Sequence, residues 1–171
     1  MMKKILLTMI LALLPGLLFA ETVMLFTRMQ PNETKQGPNI DRFIAVEDGV
    51  EDQFFTSGHI IFDAGVPANR QTESGSAGQT DSWAEQTAKA GGANYLLIVN
   101  LGFPSATKAV QVPSTVSYRF MNVKTAGTLA EGNVDTKNRE SKDPSKKPYE
   151  LCFAIGQQIA KYVMTNWGSP N

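Results

Sequence analysis

The chain has 171 residues, with sixteen basic and sixteen acidic side chains, 42% hydrophobic and 19% charged residues, one histidine and one cysteine. That length suits about one domain, the composition excludes general disorder, and the charge balance excludes a strongly basic nucleic-acid binder. One cysteine excludes an internal disulfide framework, and one cysteine with one histidine makes a protein zinc site hard to assemble.

Residues 1–20 read as an address. Lys3 and Lys4 form a positive start, Ile5–Leu14 is apolar apart from Thr8, Pro15-Gly16 breaks the run, and Leu17-Leu18-Phe19-Ala20 leads into Glu21. This is the layout of a secretory signal peptide with its cut after Ala20. The sixteen residues Ile5–Ala20 would make a helix of only about 24 Å, short of the ~30 Å hydrocarbon core that a spanning helix crosses. The expectation is an exported protein, periplasmic or otherwise outside the cytoplasm, with residues 21–171 as one domain and no transmembrane segment after cleavage. Losing Lys3 and Lys4 takes the basic count from sixteen to fourteen against sixteen acids, a balance of −2.

The mature chain opens with a strand over Thr22–Met29, whose run Val23-Met24-Leu25-Phe26 suits burial on both faces of a sheet. A polar loop, Gln30–Pro38, precedes a helix over Asn39–Ser57, with Asn39 or Asp41 as its cap. Phe43, Val46, Val50 and Phe54 recur on one face of that helix, and Gly58 ends it. His59–Phe62 reads as a short strand and Ala64–Thr80 as a surface loop. A second helix is expected to start at Ser82, because Ser82-Trp83-Ala84-Glu85 has the capping-box pattern, and to end at Gly91-Gly92. Tyr95–Val99 carries the strongest buried-strand signal and should be central in the sheet. Thr115–Val123 alternates, with Val116, Tyr118 and Phe120 on one face and Ser117, Arg119, Met121 and Val123 on the other. The turn Lys124–Gly127 returns it as a hairpin with Thr128–Val134. After a charged loop, a last helix runs from Tyr149 to Trp167, with Ile155 and Ile159 in its apolar stripe. The expected fold is a single α/β (α+β) domain with a mixed sheet, order β-α-β-α-β-β-β-α, and helices packed on the sheet.

No catalytic constellation, cofactor motif or metal-ligand set stands out in this pattern. His59 could act as a base or ligand, and its ordinary reading is a structural histidine. Asp63 shares its strand face some 13 Å away by strand rise, too far for a direct pair. Cys152 lies on or beside an apolar helix stripe, where a small buried hydrophobe is the ordinary reading; a dyad with His59 stays open. The acids Glu47, Asp48, Glu51 and Asp52 form two like-charged pairs four residues apart, each costing an isolated helix roughly 0.2–0.5 kcal/mol. A cation or a basic partner surface could offset that cost. Ser74-Gly75-Ser76-Ala77-Gly78 lacks the lysine and spacing of a phosphate loop. Lys137, Arg139, Lys142, Lys146 and Lys147 stand against Glu140 and Asp143 in a loop of net charge +3. The candidate binding residues are therefore Glu47, Asp48, Glu51, Asp52, Ser76 and Lys142. A pocket lined by Arg119, Tyr95 and the loop around Ser76 would instead mark a small-ligand site, and a polar cluster around His59 or Cys152 would mark a hydrolase.

Two stretches carry a family resemblance. Ala88-Lys89-Ala90-Gly91-Gly92-Ala93-Asn94-Tyr95-Leu96-Leu97-Ile98-Val99 resembles the "A-x-x-x-G-A-D-Y-x-L-x-G" passage of bacterial envelope domains, the group of the TolB N-terminal domain, LpoB and CsgG. Val116–Leu129 resembles the following hairpin, "Y-x-V-x-x-R-L-V-D-V-x-T-G-E-V". Asn94 stands for the usual Asp, Asn100 lies near the usual Gly, and Ala126 is inserted before Gly127. The resemblance implies an α/β module that works by protein–protein contact in the cell envelope, with no common catalytic residues to carry over.

Overall fold

The structure, a computed structural model, describes residues 21–29, 38–64, 77–103, 112–136 and 147–167. In chain order its elements are β1 (Thr22–Met29), α1 (Pro38–Thr56), β2 (Ile60–Asp63), α2 (Ala77–Ala90), β3 (Tyr95–Gly102), β4 (Thr115–Asn122), β5 (Thr128–Asn133) and α3 (Pro148–Trp167). This is the predicted order. The expected leader, Ser76 and Lys142 lie outside the described residues.

The strands form one mixed sheet in the order β2-β1-β3-β4-β5. β1 pairs in parallel with both β2 and β3, while β3, β4 and β5 are antiparallel neighbours. Parallel neighbours need crossover connections, and α1 and α2 lie on these. β3 is central as predicted, and Leu96, Leu97, Ile98 and Val99 are buried.

Strand alternation sorts the apolar residues into two cores. On one face Val23, Leu25, Leu97, Val99, Val116, Tyr118 and Phe120 meet α1 and α3. On the other, Met24, Phe26, Leu96, Ile98, Met121 and Val123 meet Ala84 and Ala88 of α2. We call these the two-helix face and the α2 face. α1 and α3 approach until backbone touches backbone. A Cβ on Gly49 would lie 2.1 Å from the Phe153 carbonyl oxygen, and one on Gly156 would lie 2.1 Å from that of Val46.

The helix ends follow the sequence. Gly58 (φ 85°) and Gly92 (φ 72°) take the left-handed conformation that favours glycine. Beyond them, the N–H groups of His59 and Ala93 donate back to the Phe54 and Ala88 carbonyls at 3.1 and 3.0 Å. The start of α2 is a correction, because the helix begins at Ala77 rather than Ser82 and absorbs the end of the expected loop. Ser82 is not a cap: its Oγ accepts from Gln86 Nε2 one turn later, at 3.5 Å. Asp81, just before it, is held by two arginines from the sheet. Tertiary ion pairing thus anchors a turn that local pattern assigns to coil.

Candidate functional site

α1 divides its acids between two sides. Asp48 Oδ2 accepts the Tyr149 hydroxyl at 2.7 Å, and Asp52 Oδ2 accepts from Gln157 Nε2 at 3.0 Å, so both serve the seam with α3. Glu47 and Glu51 fall on another stripe with Ile44 and Phe55, spaced three, four and four residues apart. That stripe is turned toward β2 and solvent. Ile44 is 42% and Phe55 76% exposed. Burial, then the carboxylates of Asp48 and Asp63, push the Glu51 carboxyl above its ordinary value. The predicted acids therefore lie on two adjacent sides of one helix, with Asp48 and Asp52 bonded to α3 and Asp52 still exposed.

β2 is an edge strand, and among the described residues no strand pairs with its outer side. Its N-terminal residue, Ile60, is 52% exposed. Register places Ile60 and Phe62 beside Thr22 and Met24, toward the α2 face, and Ile61 and Asp63 beside Val23 and Leu25, toward α1.

A second polar group crosses the α2 face. Arg28 on β1 is in register with Asn100 on β3, and Asn100 with Ser117 on β4. The Arg28 Nε donates to Asn100 Oδ1, and Asn100 Nδ2 donates to Ser117 Oγ at 3.1 Å. Asp81 bridges two cations, with its Oδ1 2.7 Å from Arg28 Nη1 and its Oδ2 accepting from Arg119 Nη2. The arrangement ties the first turns of α2 to three strands. Sequence reasoning missed it, although Arg28 and Asn100 each interrupt an apolar strand, the one local signal available.

The lone histidine is packed into an aromatic group on the two-helix face. The His59 ring stacks on Trp167 at 4.5 Å, and Trp167 meets Tyr95 and Phe120 edge-on at 4.6 and 4.8 Å. Cys152 is fully buried in the same core. The envisaged pocket of Arg119 and Tyr95 does not form, because alternation puts them on opposite faces. Tyr95 stacks on Phe120 and donates its hydroxyl to Glu21 Oε1 at 3.0 Å, whereas Arg119 engages Asp81. A hollow between Glu85, Lys89, Leu96, Met121, Val123 and Ala126 has no room for a water molecule. Among the described residues, no group of three or more His, Cys, Asp or Glu could hold a metal ion, and no helix is long and apolar enough to cross a membrane.

The motif residues hold the backbone together. Asn94 Oδ1 accepts both the Thr22 N–H at 3.0 Å and the Thr22 hydroxyl at 2.7 Å, a role that an aspartate oxygen would also fill. Asn122 Oδ1 accepts the N–H groups of Lys124 and Thr125, each at 3.0 Å, and so shapes the hairpin turn.

Fold and surface together define a mixed-sheet α+β domain with two helices on one face and one on the other. The chain belongs to the family described as "Uncharacterised protein", whose model matches residues 26–164. No curated protein matches the sequence. Solved structures with a similar fold include the hypothetical protein CT253 from Chlamydia trachomatis, at 12% identity, covering 86% of this chain and 99% of that one, with a TM-score of 0.49. TolB from Acinetobacter baumannii is similar at 10% identity over 87% of this chain and 28% of that one, with a TM-score of 0.45. The LpoB C-terminal domain from Escherichia coli is similar at 15% identity over 74% of this chain and 90% of that one, with a TM-score of 0.42. TolB and LpoB are two of the three proteins that residues 88–130 resemble. The likeness concerns fold alone.

Proposed function

We propose that this chain is an exported cell-envelope protein that acts by protein–protein contact, as an assembly or scaffold module rather than an enzyme. The observation that carries the reading is the outer stripe of α1, where Ile44 and Phe55 stand exposed on either side of Glu47 and Glu51. An apolar pair flanking carboxylates suits a partner surface of mixed basic and apolar character, and charges on such a rim mainly set encounter rate and salt dependence. The pattern of residues 1–20 supports export. The two side chains able to supply an imidazole or a thiol support a non-catalytic role, since His59 is stacked on Trp167 and Cys152 is buried.

The test is affinity capture from an envelope extract by the exported protein, whose mass should correspond to a chain beginning at Glu21. A retained partner should be lost with Phe55→Ser plus Glu51→Lys and kept with His59→Gln and with Cys152→Ser. Loss of the partner in a folded His59→Gln protein, or full retention after the stripe substitutions, would contradict the reading. A mass that includes Met1–Ala20 would contradict the processed leader.

A small-ligand reading has one observation in its favour. Arg28 and Asn100 lie near the carboxyl ends of the parallel strands β1 and β3, the end at which open α/β sheets receive ligands. Asp81 already occupies both arginines there, so contact through α1 is the better-supported function.

A further inference from the structure

In a parallel ladder each residue turns its N–H and C=O to one side, and alternate residues serve alternate neighbours. The Ile60 N–H donates to Glu21 O at 3.1 Å, and the Ala64 N–H to Leu25 O at 2.9 Å. Phe62 falls in the same phase, so Ile61 and Asp63 point their backbone groups outward, away from β1. A row of unpaired backbone groups is a template for another strand. β2 is short and carries the charge of Asp63, two of the usual limits on an edge, but Ile60–Asp63 holds no lysine, proline or bulge, and four residues are enough to present two outward amides. The opposite edge differs, since β5 joins its neighbour across a register shift at Phe120/Met121.

The two faces beside this edge ask for different side chains. On the two-helix face stand Asp63 and, above it on α1, Glu51. These two carboxylates repel one another, and no basic side chain is hydrogen-bonded or ion-paired to either among the described residues. On the α2 face stands Ile60, half of its surface open to water. A strand laid outside β2 would place successive side chains alternately on these two faces.

We propose that the outer edge of β2 receives an extended segment of a partner protein, with basic and apolar residues in alternation, added as a further strand of the sheet. This rests on the contact reading above and specifies the chemistry of the partner. The backbone of Ile61 and Asp63 supplies the pairing. Asp63 and Glu51 select lysine or arginine at one phase of the segment, and Ile60 selects an apolar residue at the other. A second copy paired through the same edge would bring Ile60–Asp63, a strand with no basic side chain, to Asp63 and Glu51, which disfavours self-pairing there.

The test uses the full chain and a synthetic octapeptide of alternating lysine and valine as the probe, followed by amide NMR and hydrogen exchange. The peptide should shift and protect the amides of Ile61 and Asp63. Methylating its backbone amides should weaken binding roughly tenfold, the loss expected for one or two hydrogen bonds. The size-conserving pair Glu51→Gln and Asp63→Asn, checked for folding by circular dichroism, should weaken binding severalfold and flatten its salt dependence. Shifts confined to residues outside β2, equal binding by the methylated peptide, or equal binding by a glutamate–valine peptide would overturn the proposal. A dimer mass in sedimentation with β2 amides already protected would overturn it in favour of self-pairing. If β2 fails these tests while the α1 stripe still captures a partner, strand addition falls and the contact reading stands.

Discussion

At the scale of single residues, what matters most is what is missing from a side chain. Gly49 and Gly156 are the places where α1 and α3 touch, and a methyl group at either would collide with a carbonyl oxygen 2.1 Å away. Gly49→Ala and Gly156→Ala, made singly, should each cost about 1–3 kcal/mol in urea denaturation, the usual range for overpacking a tight contact. A smaller loss would mean that the helices can part without penalty. Neither glycine was legible as a contact in the sequence, because each has its partner more than a hundred residues away. Gly58 was legible, because its role as a helix stop is set by its immediate neighbours. Glu51 gives a second residue-scale expectation. Burial and the carboxylates of Asp48 and Asp63 raise its pKa in the folded state. The folded protein then holds this proton to higher pH than the unfolded chain, so the group favours folding at low pH and opposes it as pH rises through the raised value. Glu51→Gln should therefore stabilise the protein at pH 7, and the gain should shrink toward pH 4. Denaturation of both proteins at the two pH values would check this, and a constant difference would contradict it.

At the scale of elements, burial and anchoring act on different helices. α3 covers the sheet through a stripe in which Ile155 and Ile159 are fully buried. Ile155→Ala and Ile159→Ala should each cost on the order of 2–5 kcal/mol, because each leaves a cavity in a packed core. A chemical-denaturation loss below about 0.5 kcal/mol for both would contradict the packing, since a surface change typically stays within that range. This helix was readable from its 3.6-residue period, and its observed bounds lie within a residue of the expected ones. α2 was less readable. Its apolar contribution to the core is mainly Ala84 and Ala88, with Trp83 partly buried, and its first turns are anchored by Asp81 to Arg28 and Arg119. Nothing local to Asp81 announces arginines fifty-three residues before it and thirty-eight after it. Asp81→Ala should cost about 1–2 kcal/mol, the lower part of the range for charged hydrogen bonds once partial exposure screens them. Hydrogen exchange should quicken in α2 while β3 stays protected. Uniform quickening of both would show that α2 is not a separately anchored unit.

At the scale of the whole molecule, the sheet was legible and the surface was not. Continuous apolar runs mark β1 and β3 as buried on both faces, and alternation as far as Phe120 marks β4 as lying between two different environments. These are one-dimensional signals of a two-sided sheet. Which acids of α1 bond to α3 depends on how α3 crosses it, and that crossing is set by glycines whose partners sequence reading could not pair. The resulting surface leaves Phe55 with three-quarters of its area in water, one helical turn from Glu51. The central claim is that this surface meets a protein partner outside the cytoplasm. Its most direct measurement is in-cell photocrosslinking, with a photoreactive amino acid placed at Phe55 and, in a separate control protein, at the exposed turn residue Lys124. Contact through α1 predicts one discrete adduct at position 55, formed in the envelope fraction and absent at position 124. No adduct at position 55, or the same pattern of adducts at both positions, would contradict it.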